Sequence, residues 1–127
     1  MVVVSSVTNV TSLTRSGLAD FVVQRVSAVI IAAYALCVVG FFASTPELSH
    51  SRLVDYFGGT LMQVFSTLTV LATAAHAWIG MWTVGTDYVR PHYFGAHATA
   101  WRLAYQALCL TVLFGYVAWA LQIFWSL

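Results

Sequence analysis

Three long apolar runs separated by two short polar stretches set the pattern of this chain. Residues 61–84, LMQVFSTLTVLATAAHAWIGMWTV, contain no formally charged side chain over 24 positions. A helix needs about 20 apolar residues to cross a bilayer, so this run is long enough. Residues 26–43 form a second run, which Val22 and Val23 extend backwards across Arg25. Residues 103–123 form the third, followed by Trp125 as an interfacial anchor. With flanking residues included, the pattern predicts a tail over 1–19 and membrane helices over about 22–43, 58–86 and 102–125. The fold class is therefore all-α: one integral membrane domain over 1–127 with three transmembrane helices.

Local signals refine the spans. Asp20 is placed to cap the first helix. Ala28/Ala32 and Ala33/Cys37 are small residues four apart, which suits close helix contact. Residues 44–56 read as a loop of mixed charge, holding Pro46, Glu47, His50, Arg52 and Asp55. Residues 89–102 read as a second loop, and Pro91 fits a helix stop just upstream. On a helix, Thr69, Ala72, Thr73, His76, Gly80, Thr83 and Asp87 fall within about 60° of one line, with Leu71, Trp78 and Trp82 opposite. A lipid-facing surface has no use for such a stripe. A surface facing another helix, or a flat cofactor held between helices, does.

Composition strengthens the membrane reading. The chain is 61% hydrophobic and only 7% charged, against about 25% charged residues in soluble domains. Lysine is absent, and five arginines against four acids leave no basic patch suited to nucleic acid. Cys37 and Cys109 sit inside apolar runs, and no Cys-x-x-Cys occurs, so there is no iron–sulfur or zinc signature. The leader lacks a small-residue cleavage site and is poor in arginine, so it reads as a retained cytoplasmic segment of a bacterial protein. The tail side and second loop carry Arg15, Arg25, Arg90 and Arg102, whereas the first loop carries only Arg52. The positive-inside rule then places the N-terminus in the cytoplasm and the C-terminus in the periplasm.

His76 is the sharpest candidate for chemistry. A neutral imidazole is a good axial ligand for haem iron, and Ala72, Thr73 and Gly80 beside it would leave room for a porphyrin face. The alternative is a histidine that hydrogen-bonds a neighbouring helix. His50, His92 and His97 all fall in the loops, so six-coordinate iron would need its other ligand from a different chain. Arg25, at the cytoplasmic mouth of the first span, is a candidate partner for a haem propionate through a bidentate fork. A topology-setting arginine that snorkels to headgroups is the alternative. Asp87 opposes the helix dipole at the end of the second span and calls for a cation, such as Arg90 or one on a partner. Tyr88 offers a neutral phenol donor at the interface, or belongs to the aromatic belt with Trp101, Trp119 and Trp125. A transporter subunit would call for an acidic residue inside a span, and the apolar runs contain none.

Three stretches resemble one family. HAWIGMWTVGTDYVRP (76–91) is similar to the second membrane helix of the small hydrophobic anchor subunit of bacterial succinate dehydrogenase, complex II, with its His-x10-Asp-Tyr spacing. GLADFVVQRVSA (17–28) and VGFFASTPEL (39–48) resemble the start and end of that family's first helix. The likeness weakens through the third span. Ala19 stands where some relatives carry histidine, and 92–99 looks longer than in them. The resemblance implies a membrane-anchor subunit of succinate:ubiquinone oxidoreductase in the cell inner membrane, serving the tricarboxylic acid cycle and the respiratory chain. Its partners would be a flavoprotein subunit, an iron–sulfur subunit and a larger cytochrome b anchor, with which its helices would pack as a bundle. It implies His76 as one axial ligand of an intersubunit haem b, Arg25 near the propionates, Tyr88 as donor to a ubiquinone carbonyl and Asp87 as its support. No succinate-oxidising site is implied in this chain. A purely structural anchor without haem is the rival reading.

Overall fold

The computed structural model describes residues 17–88 and 95–127, with the backbone alone for 86–88. Among them are four α-helices and no strand: α1 (Gly17–Ser44), α2 (His50–Gly58), α3 (Thr60–Tyr88) and α4 (Ala98–Trp125). A 3₁₀ turn at Gly95–His97 precedes α4 and starts at Gly95, whose φ of 62° is a left-handed conformation that favours glycine. α1, α3 and α4 are each long and apolar enough to cross a membrane.

α3 lies between α1 and α4 and packs on both, while α1 and α4 barely meet. The residues enclosed at these contacts are small. Ser27, Ser66, Thr69, Ala72, Gly85 and Ala98 are buried. The large apolar side chains point outward, as with Leu36 at 74% exposure and Phe114 at 75%. This inversion of a soluble core follows from the solvent. Lipid tails are as apolar as leucine, so helices gain from close backbone approach rather than from hiding large residues. Gly85 is a concrete case: a Cβ there would come within 3.1 Å of the Tyr105 ring on α4.

Threonine hydroxyls along α3 are satisfied within the helix, whereas Gln24 Oε1, Trp78 Nε1, Trp82 Nε1 and Gln106 Nε2 are buried without a hydrogen-bond partner among the described residues. Thr67, Thr69, Thr73 and Thr83 each donate from Oγ1 to the carbonyl four residues earlier, at 2.7–2.9 Å. Each hydroxyl is thus spent on its own helix, as hydrocarbon surroundings demand. Ser66, fully buried, instead meets Tyr34 Oη of α1 at 2.7 Å. Gln63 Nε2 donates to the Phe124 carbonyl at 3.1 Å, and Trp125 Nε1 donates to Thr67 Oγ1 at 2.8 Å. Trp125 therefore ties α4 to α3 as well as lying at a helix end.

Several local expectations are corrected. Residues 44–56 are not simply a loop, because α2 forms within them. Ser49 caps it, its Oγ accepting from the Arg52 amide at 3.3 Å. Leu53, Val54 and Phe57 line one groove with Val38, Phe124 and Leu127, so the turn has an apolar face to bury. Tyr56 stacks on Phe41 with centroids 4.1 Å apart and donates to the Cys37 carbonyl at 3.2 Å. Asp20 is not an N-cap, since Gly17 is already helical and Asp20 lies in the first turn. The second loop is shorter than expected, because α4 already begins at Ala98. Within this chain α1 meets α3 through Ser27 and Tyr34, which leaves the Ala28/Ala32 and Ala33/Cys37 pairs on the outer surface.

Candidate functional site

His76 sits five turns into α3, half-buried, and its ring is held on both nitrogens by α1. Ser27 Oγ lies 3.1 Å from Nδ1, and Gln24 Nε2 lies 3.4 Å from Nε2. Ser27 is 4% exposed, and its hydroxyl donates to the Gln24 carbonyl at 3.0 Å. A hydroxyl has a single proton. With that proton turned to the Gln24 carbonyl, Ser27 Oγ accepts from a ring hydrogen on Nδ1; turned to Nδ1, it leaves the ring hydrogen on Nε2. In the first arrangement Nε2 bears the lone pair and accepts from the Gln24 amide. Both contacts can be made with the ring hydrogen on Nδ1. They differ in strength: 3.1 Å is an ordinary bond, whereas 3.4 Å lies beyond the usual range and is readily exchanged.

A depression of about 410 Å³ opens between α1 and α3, with Gln24, the partner of His76, among its lining residues. Asp20, Phe21, Gln24 and Arg25 form its α1 side; Ile79, Gly80 and Thr83 form its α3 side. Gly80 follows His76 by one turn on the same face, and a Cβ built on it would meet nothing within 4 Å. The space over Gly80 is thus left open by this chain. Gln24, whose amide reaches Nε2, lines the same depression. Arg25 is exposed at its rim, with its guanidinium 4.9 Å from the Phe21 ring centroid. That contact holds the cation at the edge of the opening.

Of the residues singled out from the sequence, Arg25 and Gly80 line this depression, and His76 contacts one of its lining residues, Gln24. Asp87 and Tyr88 close α3, about 18 Å further along its axis from His76 by helical rise. Their side chains, and all of Arg90, Pro91 and His92, lie outside the described residues. His97 is exposed in the 3₁₀ turn. The stripe on α3 divides: Thr69 and Ala72 are buried against the bundle, whereas Thr73 and Thr83 are exposed and Gly80 half-exposed.

Gln24 and Ser27 were missed at the sequence level. A signal existed: with Tyr34, they are the uncharged polar side chains of α1 before its last residue, Ser44, and Ser27 and Tyr34 share one face. Among the described residues no group of three or more His, Cys, Asp or Glu converges. The chemistry available here is accordingly that of one imidazole, with the Arg25 cation and the Asp20 carboxylate lining the depression that its partner Gln24 also lines.

Residues 6–118 match the family model for the succinate dehydrogenase/fumarate reductase transmembrane subunit. The chain is also similar to the succinate dehydrogenase hydrophobic membrane anchor subunit of Coxiella burnetii, with 33% identity over 111 residues, covering 87% of this chain and 90% of that protein. With three apolar helices of spanning length and a match over most of its length, the chain belongs to the succinate dehydrogenase/fumarate reductase transmembrane subunit family.

Proposed function

We propose that this chain is the small membrane anchor of a succinate:quinone oxidoreductase, supplying one axial ligand of an intersubunit haem b and part of a ubiquinone-reduction site. It would hold a flavoprotein and an iron–sulfur subunit at the bacterial inner membrane, beside a larger cytochrome b anchor. The observation that supports the haem reading is His76 Nε2, held only at 3.4 Å by Gln24, whose side chain lines the same depression as Gly80 and Arg25. A haem b bound here supplies a one-electron redox centre within the membrane. His76 would hold its iron through Nε2, and Arg25, at the rim of the depression, would neutralise a propionate. Small residues along the stripe would keep side chains out of the plane the group occupies. The second ligand would come from the partner anchor, because α3 offers no other histidine.

The arginine distribution supports a cytoplasmic N-terminus and a periplasmic C-terminus. The end of α3 nearest the second loop would then face the cytoplasm. There Tyr88 would donate a hydrogen bond to a quinone carbonyl oxygen, polarising it as the ring takes up two electrons and two protons. Asp87 would hold the phenol or its network in place, balanced by Arg90. Support for these two roles is the retained His-x10-Asp-Tyr spacing.

Tyr88→Phe tests the quinone role without altering the size of the ring. Positioned proton donors contribute roughly 100-fold or more to such steps. Succinate-driven quinone reduction by the assembled complex is expected to fall by at least about tenfold, while succinate oxidation by a soluble acceptor is retained. Quinone reduction near the wild-type rate in a fully assembled complex would end the phenol hypothesis.

The rival, an anchor without haem, has one observation in its favour: both ring nitrogens of His76 already have partners on α1, as a packing histidine would. The two readings part at Nε2. A packing histidine keeps Gln24 there; a ligand gives that contact up.

A further inference from the structure

We propose that Ser27 is the positioning residue for His76, fixing both the tautomer and the electron richness of the imidazole through an accepting hydrogen bond at Nδ1. The proposal rests on the haem reading above and deepens it.

The argument starts from a chain of three groups. The Gln24 carbonyl accepts from the Ser27 hydroxyl at 3.0 Å, and Ser27 Oγ lies 3.1 Å from His76 Nδ1. Ser27 sits at the middle of this chain and is 4% exposed, so water does not compete for either bond. With Nε2 on the iron, Nδ1 carries the ring hydrogen, and a Ser27 hydroxyl turned to the Gln24 carbonyl accepts it. Metal-bound imidazoles are typically held this way, with the distal N–H donated to an oxygen that orients the ring and raises its basicity. Here the oxygen that would hold the ring is a buried hydroxyl of α1.

The two sides of the ring are unequal in a way that fits this role. Nδ1 is held by a buried hydroxyl at ordinary length. Nε2 is held only by the Gln24 amide at 3.4 Å, and the other amide atom, Oε1, is buried without a hydrogen-bond partner. Gln24 therefore has little to lose on leaving Nε2. Ser27 would lose a full bond on leaving Nδ1. Ligation should break the first contact and keep the second.

A hydrogen bond that draws on Nδ1–H pushes electron density toward Nε2, which stabilises the ferric over the ferrous state. Its loss should make the haem easier to reduce. The test is a set of variants in the intact membrane complex, followed by haem content and by redox titration of the haem bands. Ser27→Ala and Ser27→Val lack the hydroxyl; Ser27→Thr keeps it and matches valine in shape. Removing such an outer partner typically costs about 10–100-fold in metal affinity. We expect Ala and Val to retain haem less well and to show a more positive midpoint potential, with Thr close to wild type. An unchanged potential and haem content in Ala and Val overturns the proposal. Loss of complex assembly in Ala and Val, with Thr intact, also overturns it, since Ser27 would then be a packing bond alone. Failure of the haem reading itself gives a different result: the wild-type complex then lacks the haem bands, or His76→Leu keeps them, whatever residue occupies position 27.

Discussion

Replacing His76 with leucine is expected to abolish the low-spin, six-coordinate haem signature of the assembled complex. The substitution removes Nε2 and leaves an apolar side chain of comparable bulk. What it leaves behind on α1 is modest: the Ser27 hydroxyl keeps its bond to the Gln24 carbonyl, so one buried polar group remains satisfied. The cost to folding is thus about one to two hydrogen bonds, roughly 1–3 kcal/mol. The cost to the cofactor is far larger. Losing an outer partner of a metal ligand costs about 10–100-fold in affinity, and losing the ligand itself exceeds that. Haem should either be missing or become high-spin, held by the partner's ligand alone. The measurement is the optical and paramagnetic resonance spectrum of purified complex. A low-spin signal identical to wild type would mean that another residue ligates the iron.

The second large effect is expected from Gly80→Leu. Inside this chain the change is benign or better. A Cβ at Gly80 meets nothing within 4 Å, and leucine is favoured over glycine in a helix by about 0.8 kcal/mol. A side chain there fills the space that opens between α1 and α3. If a flat group lies over Gly80, leucine and the group compete for one volume. The complex should assemble and the helix should be no less stable, yet haem content should fall at least about tenfold; a misfit of a few methylenes in a close-packed slot is enough to cause this. The check is the haem-to-protein ratio in complex of normal subunit composition. A ratio equal to wild type would place the cofactor away from Gly80. Gly85→Ala would behave differently, because its Cβ meets the Tyr105 ring and strains the α3–α4 contact instead.

The parts of this molecule that were legible in the sequence are those governed by one helix at a time. Twenty-four uncharged positions demand a spanning helix whatever surrounds them, because backbone groups have no other partner in lipid. Helical period alone put His76 and Gly80 on one face, and Arg25 was visible as a charge at the mouth of a span. The parts that were not legible depend on two helices at once. Which face of α1 meets α3 is decided by Ser27 and Tyr34 finding His76 and Ser66 across the interface. The alanine pairs on α1 offered an equally good packing pattern in sequence, yet they remain exposed here. α2 was hidden for another reason. Its nine residues are too short for a clear period and hold mixed charge, so the Ser49 cap and the Leu53–Val54–Phe57 face were the available cues. For Asp87 and Tyr88, the motif carries more than the helix geometry does.

The central claim is that this chain contributes half of a haem site, and a reduced-minus-oxidised spectrum of the purified intact complex tests it most directly. The account predicts the Soret and α bands of a low-spin haem b, at one haem for each copy of this chain. A complex with all its subunits, active in succinate oxidation and devoid of those bands, would contradict it.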